Sequence, residues 1–454
     1  MPRAAEVREL HVPPAVLRRL AARDPARYPF LLESAAEGPL GEATVLLAAP
    51  RAALWLSADG ALRARGVTPQ GTTFLAALEA WWRAESCDAS AGLADLPFAG
   101  GWALFLGYEL AQEIEPHLRL PRTPLPWQAF ALRTPAALVH DVRTARVLAV
   151  AEEGATATLD TLAADAHAAA HSTDPPGPAA IRAVHEEDPE AYLARVRRAK
   201  EYVRAGDIYQ ANLARPWTVE LARAEGAAAA LYERLRAANP APFAALVQWD
   251  GIGIVSSSPE RLVRIAGRRI DTRPIAGTRP RRGDDAREMA ELAAHPKERA
   301  EHVMLIDLER NDLGRVCEAG SVRVDELMSI ESYTHVHHIV SNVSGVLRPE
   351  VTPIGALRAV FPGGTITGCP KFRCMQIIAE LEGSGRGAYT GSLGYLSRDG
   401  RLDLNILIRT MTVHGAQASF YAGAGIVADS DPQRELEETR AKARGLIAAL
   451  GTSA

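Results

Sequence analysis

Apolar positions along this chain switch between two periods. Short runs in which they alternate or cluster, Ala43 to Ala48, Phe243 to Trp249, Gly253 to Ser256 and Leu262 to Ile265, predict strands. Ala137 to Val150 reads as a hairpin turning around Asp141 to Thr144, and Tyr389 to Ala422 as a second strand group with a turn at Arg398-Asp399-Gly400. Elsewhere the spacing is helical. Tyr192, Val196, Ala199 and Val203 recur on one face, with Asp188 placed to cap the helix, Pro189 to open it and Gly206 to end it. Further helices are predicted over Pro296 to Asp312, Ile354 to Phe361, Phe372 to Leu381 and Pro432 to Leu450. Strand runs and helix runs are grouped rather than alternating, which predicts an α+β fold over a doubly wound sheet. No fixed-period repeat is visible.

The stretch from Ala151 to Ala180 is rich in Ala, Thr and Asp and contains Asp174-Pro175-Pro176-Gly177-Pro178. It reads as a weakly specified helix followed by a linker, and it divides the chain into an N-terminal domain, 1–180, and a second domain, 181–454. At 454 residues the chain exceeds one ordinary core. Net charge is -4 with no basic block, so nucleic acid is not the expected partner. The 4 cysteines are too few for a disulfide framework. The N-terminus carries charges throughout, and no apolar run approaches the roughly 18 residues needed to span a bilayer. These features together predict a cytoplasmic protein.

Among groups able to do chemistry, Glu301 shares a helix face with Leu305, Leu308 and Asp312, and Glu435, Glu438 and Lys442 share another. A carboxylate on a partly apolar face is costly unless paired or metal-bound, and two such faces converging would suit Mg²⁺; a solvated face of ion pairs is the plainer alternative. The glycines in Pro362-Gly363-Gly364-Thr365-Ile366-Thr367-Gly368 and Gly423-Ala424-Gly425 let backbone N–H groups approach an anion, or simply make tight turns. A dinucleotide fingerprint at Gly423 is rejected, because no helix signal appears until Pro432. His335, His337 and His338 form a cluster without the further Cys or His spacing a zinc site needs. Cys369 and Cys374 lack a second pair and are read as structural. Neither a nucleophile elbow nor a P-loop is present.

Seven segments, in order, resemble the chorismate-binding family, which includes component I of anthranilate synthase and of aminodeoxychorismate synthase and the isochorismate and salicylate synthases. They are Ser258-Pro259-Glu260, Pro274 to Arg279, Arg299-Ala300-Glu301-His302, Asp307 to Asp312, Phe361 to Thr365 with Gly368 to Lys371, Gly423 to Val427, and Glu438-Thr439 with Lys442. Phe30 to Ser34, Leu96-Pro97-Phe98 with Gly100-Gly101, and Gly107-Tyr108 resemble the same enzymes more loosely. The resemblance implies large antiparallel sheets packed together with helices outside. It implies Mg²⁺ on Glu301 and Glu438 with Glu435 nearby, and Arg409 and Tyr389 on the enolpyruvyl carboxylate of chorismate. Gly423, Gly425 and Lys442 would complete the anion pocket, with Thr278 and Thr365 as hydroxyl contacts. Glu260 would be the general acid that protonates the departing C4 hydroxyl, so its pKa should be raised. His338 resembles the family's active-site histidine.

Three positions bear on which member this is. Gln210 stands where the isochorismate and salicylate enzymes carry a water-activating lysine, and glutamine is no base, so ammonia is the expected nucleophile. Gln210-x-Asn212-Leu213, Asn239 to Ala244 and Phe361 to Thr365 resemble aminodeoxychorismate synthase. Ala276 points the other way: that enzyme typically has a nucleophilic lysine there, whereas anthranilate synthase has alanine. Weighing overall resemblance above one position, the expected reaction is amination of chorismate to 4-amino-4-deoxychorismate. Anthranilate synthesis is the alternative and a non-catalytic relative a further one. A separate glutamine amidotransferase is expected to supply ammonia, since no cysteine sits in a glycine-flanked elbow. Leu32-Glu33-Ser34 resembles the family's tryptophan-binding segment, and is either a regulatory site or a structural pocket.

Overall fold

The computed structural model describes residues 5–36, 40, 42–88, 96–172, 180–281, 285–332 and 336–451. Two large sheets, antiparallel at every pairing, face each other. The first has 12 strands. It starts from Ala5–Leu10 and the Ala136–Asp141 and Arg146–Glu152 hairpin and passes through Phe30–Glu33 to Phe243–Trp249 and Ile252–Ser258. It ends on Thr410–His414, Gln417–Ile426, Gln210–Leu221 and Ile181–Glu186. The second has 11 strands, from Ile275–Pro280, Val336–Val346 and Arg269–Arg273 through Ser392–Ser397 to Gly101–Leu106, Trp127–Thr134 and Ala52–Ser57. Strands from before and after residue 180 therefore share both sheets. The helix predicted after Ala151 forms over Thr156–Ala170, while the linker at Asp174 to Pro178 lies outside the described residues.

The alternating pattern of the strands explains the layers. Inward residues of both sheets, among them Phe30, Ala245 and Ile254 from the first and Phe105, Phe130 and Leu393 from the second, form one core. Phe105 packs edge-on against Trp127 at 4.7 Å, and Phe130 meets Trp249 at a tilt, ring centroids 4.4 Å apart. The opposite face of the first sheet is covered by the Ala15–Arg23, Thr156–Ala170, Ala227–Ala238 and Pro432–Leu450 helices. That of the second is covered by Phe74–Glu85, Pro296–Gly314 and Pro353–Val360. The expected α+β architecture, helices outside two packed sheets, is the one observed. No helix among the described residues is long and apolar enough to cross a membrane.

Local signals set several element ends. Asp188 accepts a hydrogen bond from Glu190 N at 3.1 Å and Pro189 opens its helix. Asp431 caps Pro432–Leu450 through Arg434 N at 3.0 Å. The Ala227–Ala238 helix, all alanine in its first turn, was not anticipated; alanine favours helix but carries no amphipathic pattern to read.

Candidate active site

The Gln210–Leu221 strand opens on Gln210 and pairs with Gln417–Ile426, placing Asn212 opposite Gly425 and Ala214 opposite Gly423. Both glycines are demanded by close approach. A Cβ on Gly425 would come within 2.5 Å of Gln210 Nε2 and 3.4 Å of Glu301 Oε1, and one on Gly423 within 2.6 Å of the Tyr389 hydroxyl. Gln210 is buried, and its Nε2 donates to Glu301 Oε1 at 3.2 Å. Its own Oε1 meets no hydrogen-bond partner among the described residues, a cost that a bound group would relieve. The strand runs on through both glycines to Ile426 and the helix opens at Pro432, which is the wrong geometry for a dinucleotide turn.

Glu301 projects from Pro296–Gly314, and Glu438 and Lys442 from Pro432–Leu450. Lys442 Nζ donates to Gly423 O at 3.0 Å and pairs with Glu438 at 2.8 Å, both side chains being half exposed. Burial pushes the Glu301 carboxyl above its ordinary range; Lys442 and Gln210 pull it down, while Glu438 and Glu298 repel it. Glu435, one turn before Glu438, is buried, and its charge is felt at the Tyr192 hydroxyl, which burial already raises well above 10. Glu301, Glu435 and Glu438 do not close to within 4.8 Å of one another as a set of three.

On the other side of the site, Glu260 is 4% exposed. Ser258 Oγ accepts from its N–H at 3.3 Å, and its carbonyl accepts from Ile406 N at 3.0 Å. Burial pushes its carboxyl up to about 8, and the Glu309 charge adds to the rise; Thr365, the Ile275 N–H and Arg409 oppose it. Thr365 stands near enough to bias the carboxyl, yet neither Glu260 Oε1 nor Thr365 Oγ1 completes a hydrogen bond. Arg409 is held at φ +52, a left-handed conformation that non-glycine residues seldom adopt. Its carbonyl accepts from Ser257 N at 3.1 Å. Its guanidinium has no hydrogen bond or salt bridge among the described residues; burial lowers its pKa and Glu260 opposes the fall. His338 Nδ1 lies 3.4 Å from Gly277 O. Burial drives the imidazole down to about 3, Arg409 pushing the same way, so His338 is neutral at pH 7.

His338 pairs across the sheet with Thr278, and Ala276, buried, with Ile339. The Thr278 side chain and His335 lie outside the described residues. Between Ala276 and Thr278 the register slips at Gly277, whose φ of +61 and close approach to Glu298 (2.3 Å from a Cβ to Oε2) both require glycine. Tyr389 is buried and stacks on Tyr421 at 5.5 Å. Cys369 and Cys374 are free thiols, and Cys374 Sγ donates to Gln210 O at 3.0 Å.

Three participants were not singled out from sequence. Glu298, at i−3 from Glu301, had a readable signal in the shared helix face. Glu309 was quoted only within a motif; it is buried, accepts from Thr272 Oγ1 at 3.2 Å, and sits beside Gly364. Arg386, in a glycine-rich loop without periodicity, is buried and donates to Asn212 O at 2.7 Å, Ile366 O at 3.3 Å and Glu382 at 2.6 Å. It ties the strand of Gln210 to the turn that carries Thr365.

The arrangement brings together an unpaired guanidinium, a buried carboxyl with a raised pKa, a neutral imidazole and, nearer solvent, carboxylates around a lysine. Such a set can hold anionic groups and donate a proton. A family described as chorismate binding enzyme matches residues 46–448. An anthranilate synthase component I-like protein of Synechocystis is 43% identical over 360 residues, covering 78% of this chain and 73% of that protein. Anthranilate synthase component 1 of Thermus thermophilus is 50% identical over 268 residues, 58% of this chain and 56% of that one. The crystal structure of anthranilate synthase component I from Streptococcus pneumoniae superposes with a TM-score of 0.78 at 30% identity, covering 90% of this chain and 93% of that one.

Proposed function

This chain belongs to the chorismate-binding enzyme family, and from that premise we propose that it aminates chorismate at C2 with ammonia and releases anthranilate, as component I of an anthranilate synthase. The observation that carries the choice is Ala276. It is buried in the strand beside His338 and offers no nucleophile, so nothing at this position can form the covalent intermediate that a lysine would. Relatives named anthranilate synthase component 1 at 40% to 50% identity support the same reading. It takes precedence over the expected 4-amino-4-deoxychorismate. That product remains the second reading on the strength of the Gln210 to Leu213, Asn239 to Ala244 and Phe361 to Thr365 segments, and would require ammonia to act at C4 without covalent catalysis.

In this reading Arg409 and Tyr389 receive the enolpyruvyl carboxylate, Arg409 through its planar fork. Lys442 and the backbone of Gly423 and Gly425 border the ring carboxylate. The acidic set fits a hard cation: Gly425 leaves a cradle that a Cβ would fill, the Gln210 Oε1 beside it lacks a partner, and Glu301 and Glu438 repel each other. Glu301 and Glu438 would hold Mg²⁺, with Glu435 and Glu298 behind them. When bound, the cation supplies positive charge to fix the ring carboxylate. Ammonia adds at C2, the ring double bonds shift, and the C4–O bond breaks. Glu260, protonated below pH about 8, gives its proton to the departing hydroxyl, which leaves as water. Loss of the C2 proton, which the carboxylate left on Glu260 can take back, and of the enolpyruvyl oxygen from C3 then aromatises the ring and frees pyruvate. Gln210, with no basic nitrogen, leaves water unactivated.

Ammonia would come from a separate glutamine amidotransferase. At Ser34 the hydroxyl donates to Pro242 O at 3.2 Å, and Glu33 is buried against Arg18, Arg236 and Tyr232. This network favours a structural role there over a tryptophan site; a thermal shift with added tryptophan would reverse that preference.

The deciding experiment incubates the chain with chorismate, Mg²⁺ and ammonium, with and without a 4-amino-4-deoxychorismate lyase, and identifies products by mass. Anthranilate without the lyase is the expected result. 4-Aminobenzoate appearing only with the lyase would overturn the proposal in favour of the second reading.

A further inference from the structure

Val336–Val346 carries two adjacent histidines whose side chains serve opposite sides. His338 belongs to the site above. His337 points the other way, its side chain fully buried, towards the first turn of the Asp285–Ala294 helix, where Asp285 and Glu288 share one face. His337 Nε2 lies 3.4 Å from Asp285 Oδ1 and 4.0 Å from Glu288 Oε2, and lacks a hydrogen-bond partner of proper geometry. The three ligand atoms fall within 4.8 Å of one another, and this is the one such cluster among the described residues.

We infer that Asp285, Glu288 and His337 form a second cation site, separate from the chorismate pocket, that takes a transition-series divalent ion such as Zn²⁺. Three features carry this. A buried imidazole nitrogen without a partner, facing two carboxylate oxygens, is unfavourable as it stands, and a cation between them resolves it. The spacing fits: in a tetrahedral zinc site the ligand atoms stand about 3.3 Å apart, close to the 3.4 Å between His337 and Asp285, and a rotamer adjustment of Glu288 brings the third ligand in. The supporting contacts are those of a ligand set. His337 Nδ1 lies 2.7 Å from Ser332 Oγ, which fixes the ring, and Arg281 orients the Asp285 carboxylate, its Nη2 donating to Oδ2 at 2.6 Å and its Nε to Oδ1 at 3.3 Å. One nitrogen and two oxygens favour Zn²⁺ over Mg²⁺, which prefers oxygen alone. The ion clamps the Asp285–Ala294 helix to the strand of His338 from behind, bracing the wall of the pocket without touching substrate.

The test uses the full chain stripped of metal, then saturated with Mg²⁺ to fill any hard-cation site. Zn²⁺ is titrated by calorimetry, and Co²⁺ is added in parallel to read its visible d–d absorption. One equivalent of Zn²⁺ should bind in the presence of excess Mg²⁺, with an intense tetrahedral-type Co²⁺ spectrum. Asp285→Asn combined with Glu288→Gln should weaken Zn²⁺ at least about a hundredfold, since even outer contacts to a metal site are worth 10–100-fold. These positions are partly exposed, so the variant should fold, and unchanged circular dichroism checks that it does. Glu301→Gln should leave Zn²⁺ binding intact. The inference falls if no Zn²⁺ binds over Mg²⁺, or if binding survives the double variant and disappears in Glu301→Gln. Neither result depends on which product the enzyme makes.

Discussion

Replacing Glu260 with glutamine should destroy turnover while making the protein more stable, and increasingly so as pH rises. The glutamate is 4% exposed and burial lifts its carboxyl from 4.5 to about 8. A folded-state pKa above the unfolded value means the folded chain binds the proton more tightly. The contribution to stability is therefore whole below pH 4.5 and declines as pH climbs to 8. Each pH unit in that window costs about 1.4 kcal/mol. At pH 5 the deficit is about 1 kcal/mol, at pH 7 about 3 kcal/mol, and above pH 8 it levels at about 5 kcal/mol. Glutamine is nearly isosteric and never ionises, so it escapes the deficit. From pH 5 to 7 the native Glu260 is protonated, so the substitution presents Glu309 with a group as neutral as before, and the comparison isolates Glu260. Guanidinium unfolding of both proteins at pH 5, 6 and 7 should show the stability gap widening by about 2 kcal/mol. Turnover should fall about 10²–10⁴-fold, the usual worth of a general acid. A gap that stays flat across this range, or a variant with near-normal turnover, would refute the assignment of a protonated, buried Glu260.

The same ionisation predicts the alkaline side of the rate profile: kcat/KM for chorismate, expressed per free ammonia, should decline as pH rises through about 8, and a profile flat to pH 10 would remove Glu260 from proton transfer. Gly425→Ala would put a Cβ 2.5 Å from Gln210 Nε2 and should cut activity more than about tenfold, with the circular dichroism spectrum unchanged. Arg409→Lys replaces a planar fork by a point charge and should raise KM for chorismate about tenfold or more; an unaltered KM would place the enolpyruvyl carboxylate elsewhere. Glu301→Gln should weaken the Mg²⁺ dependence of turnover strongly, and full activity at unchanged Mg²⁺ would exclude it as a ligand.

Much of the frame was legible from periodicity because the strands here are half-buried in a sandwich: one face meets the other sheet and the next meets helices, and the Ala43–Ala48 strand and the Pro432–Leu450 helix fall where the pattern predicts. Periodicity could not supply the pairing. Strands far apart in sequence, such as Phe30–Glu33 and Phe243–Trp249, lie side by side, and no local signal encodes a partner two hundred residues away. The candidate site was legible only as a set of short segments in order. Glu260, Arg409, His338 and Gln210 each look ordinary alone; their chemistry comes from burial, which the neighbouring residues in sequence do not announce. Arg386 stayed hidden for the same reason: beside its near neighbours Glu382 and Thr390 it reaches the carbonyls of Ile366 and Asn212, which lie on distant segments.

Of Glu260, His338 and Gln210, none is a general base of ordinary strength in the resting site. Glu260 is protonated, His338 is held neutral by a pKa near 3, and Gln210 cannot accept a proton at neutral pH. A nucleophile that must first be deprotonated, such as water, gains nothing from such surroundings. Ammonia is already nucleophilic in its neutral form and needs only to be delivered unprotonated, which a sheltered route from a glutaminase would do. Ala276 then removes the remaining route, attack by the protein itself. On the proposed reading, with no base among these three groups to activate water and no nucleophile at Ala276, the chemistry is left to ammonia and to the leaving group that Glu260 would protonate. The proposed product thus rests less on a positive catalytic feature than on two positions, Gln210 and Ala276, where the side chain is unable to react.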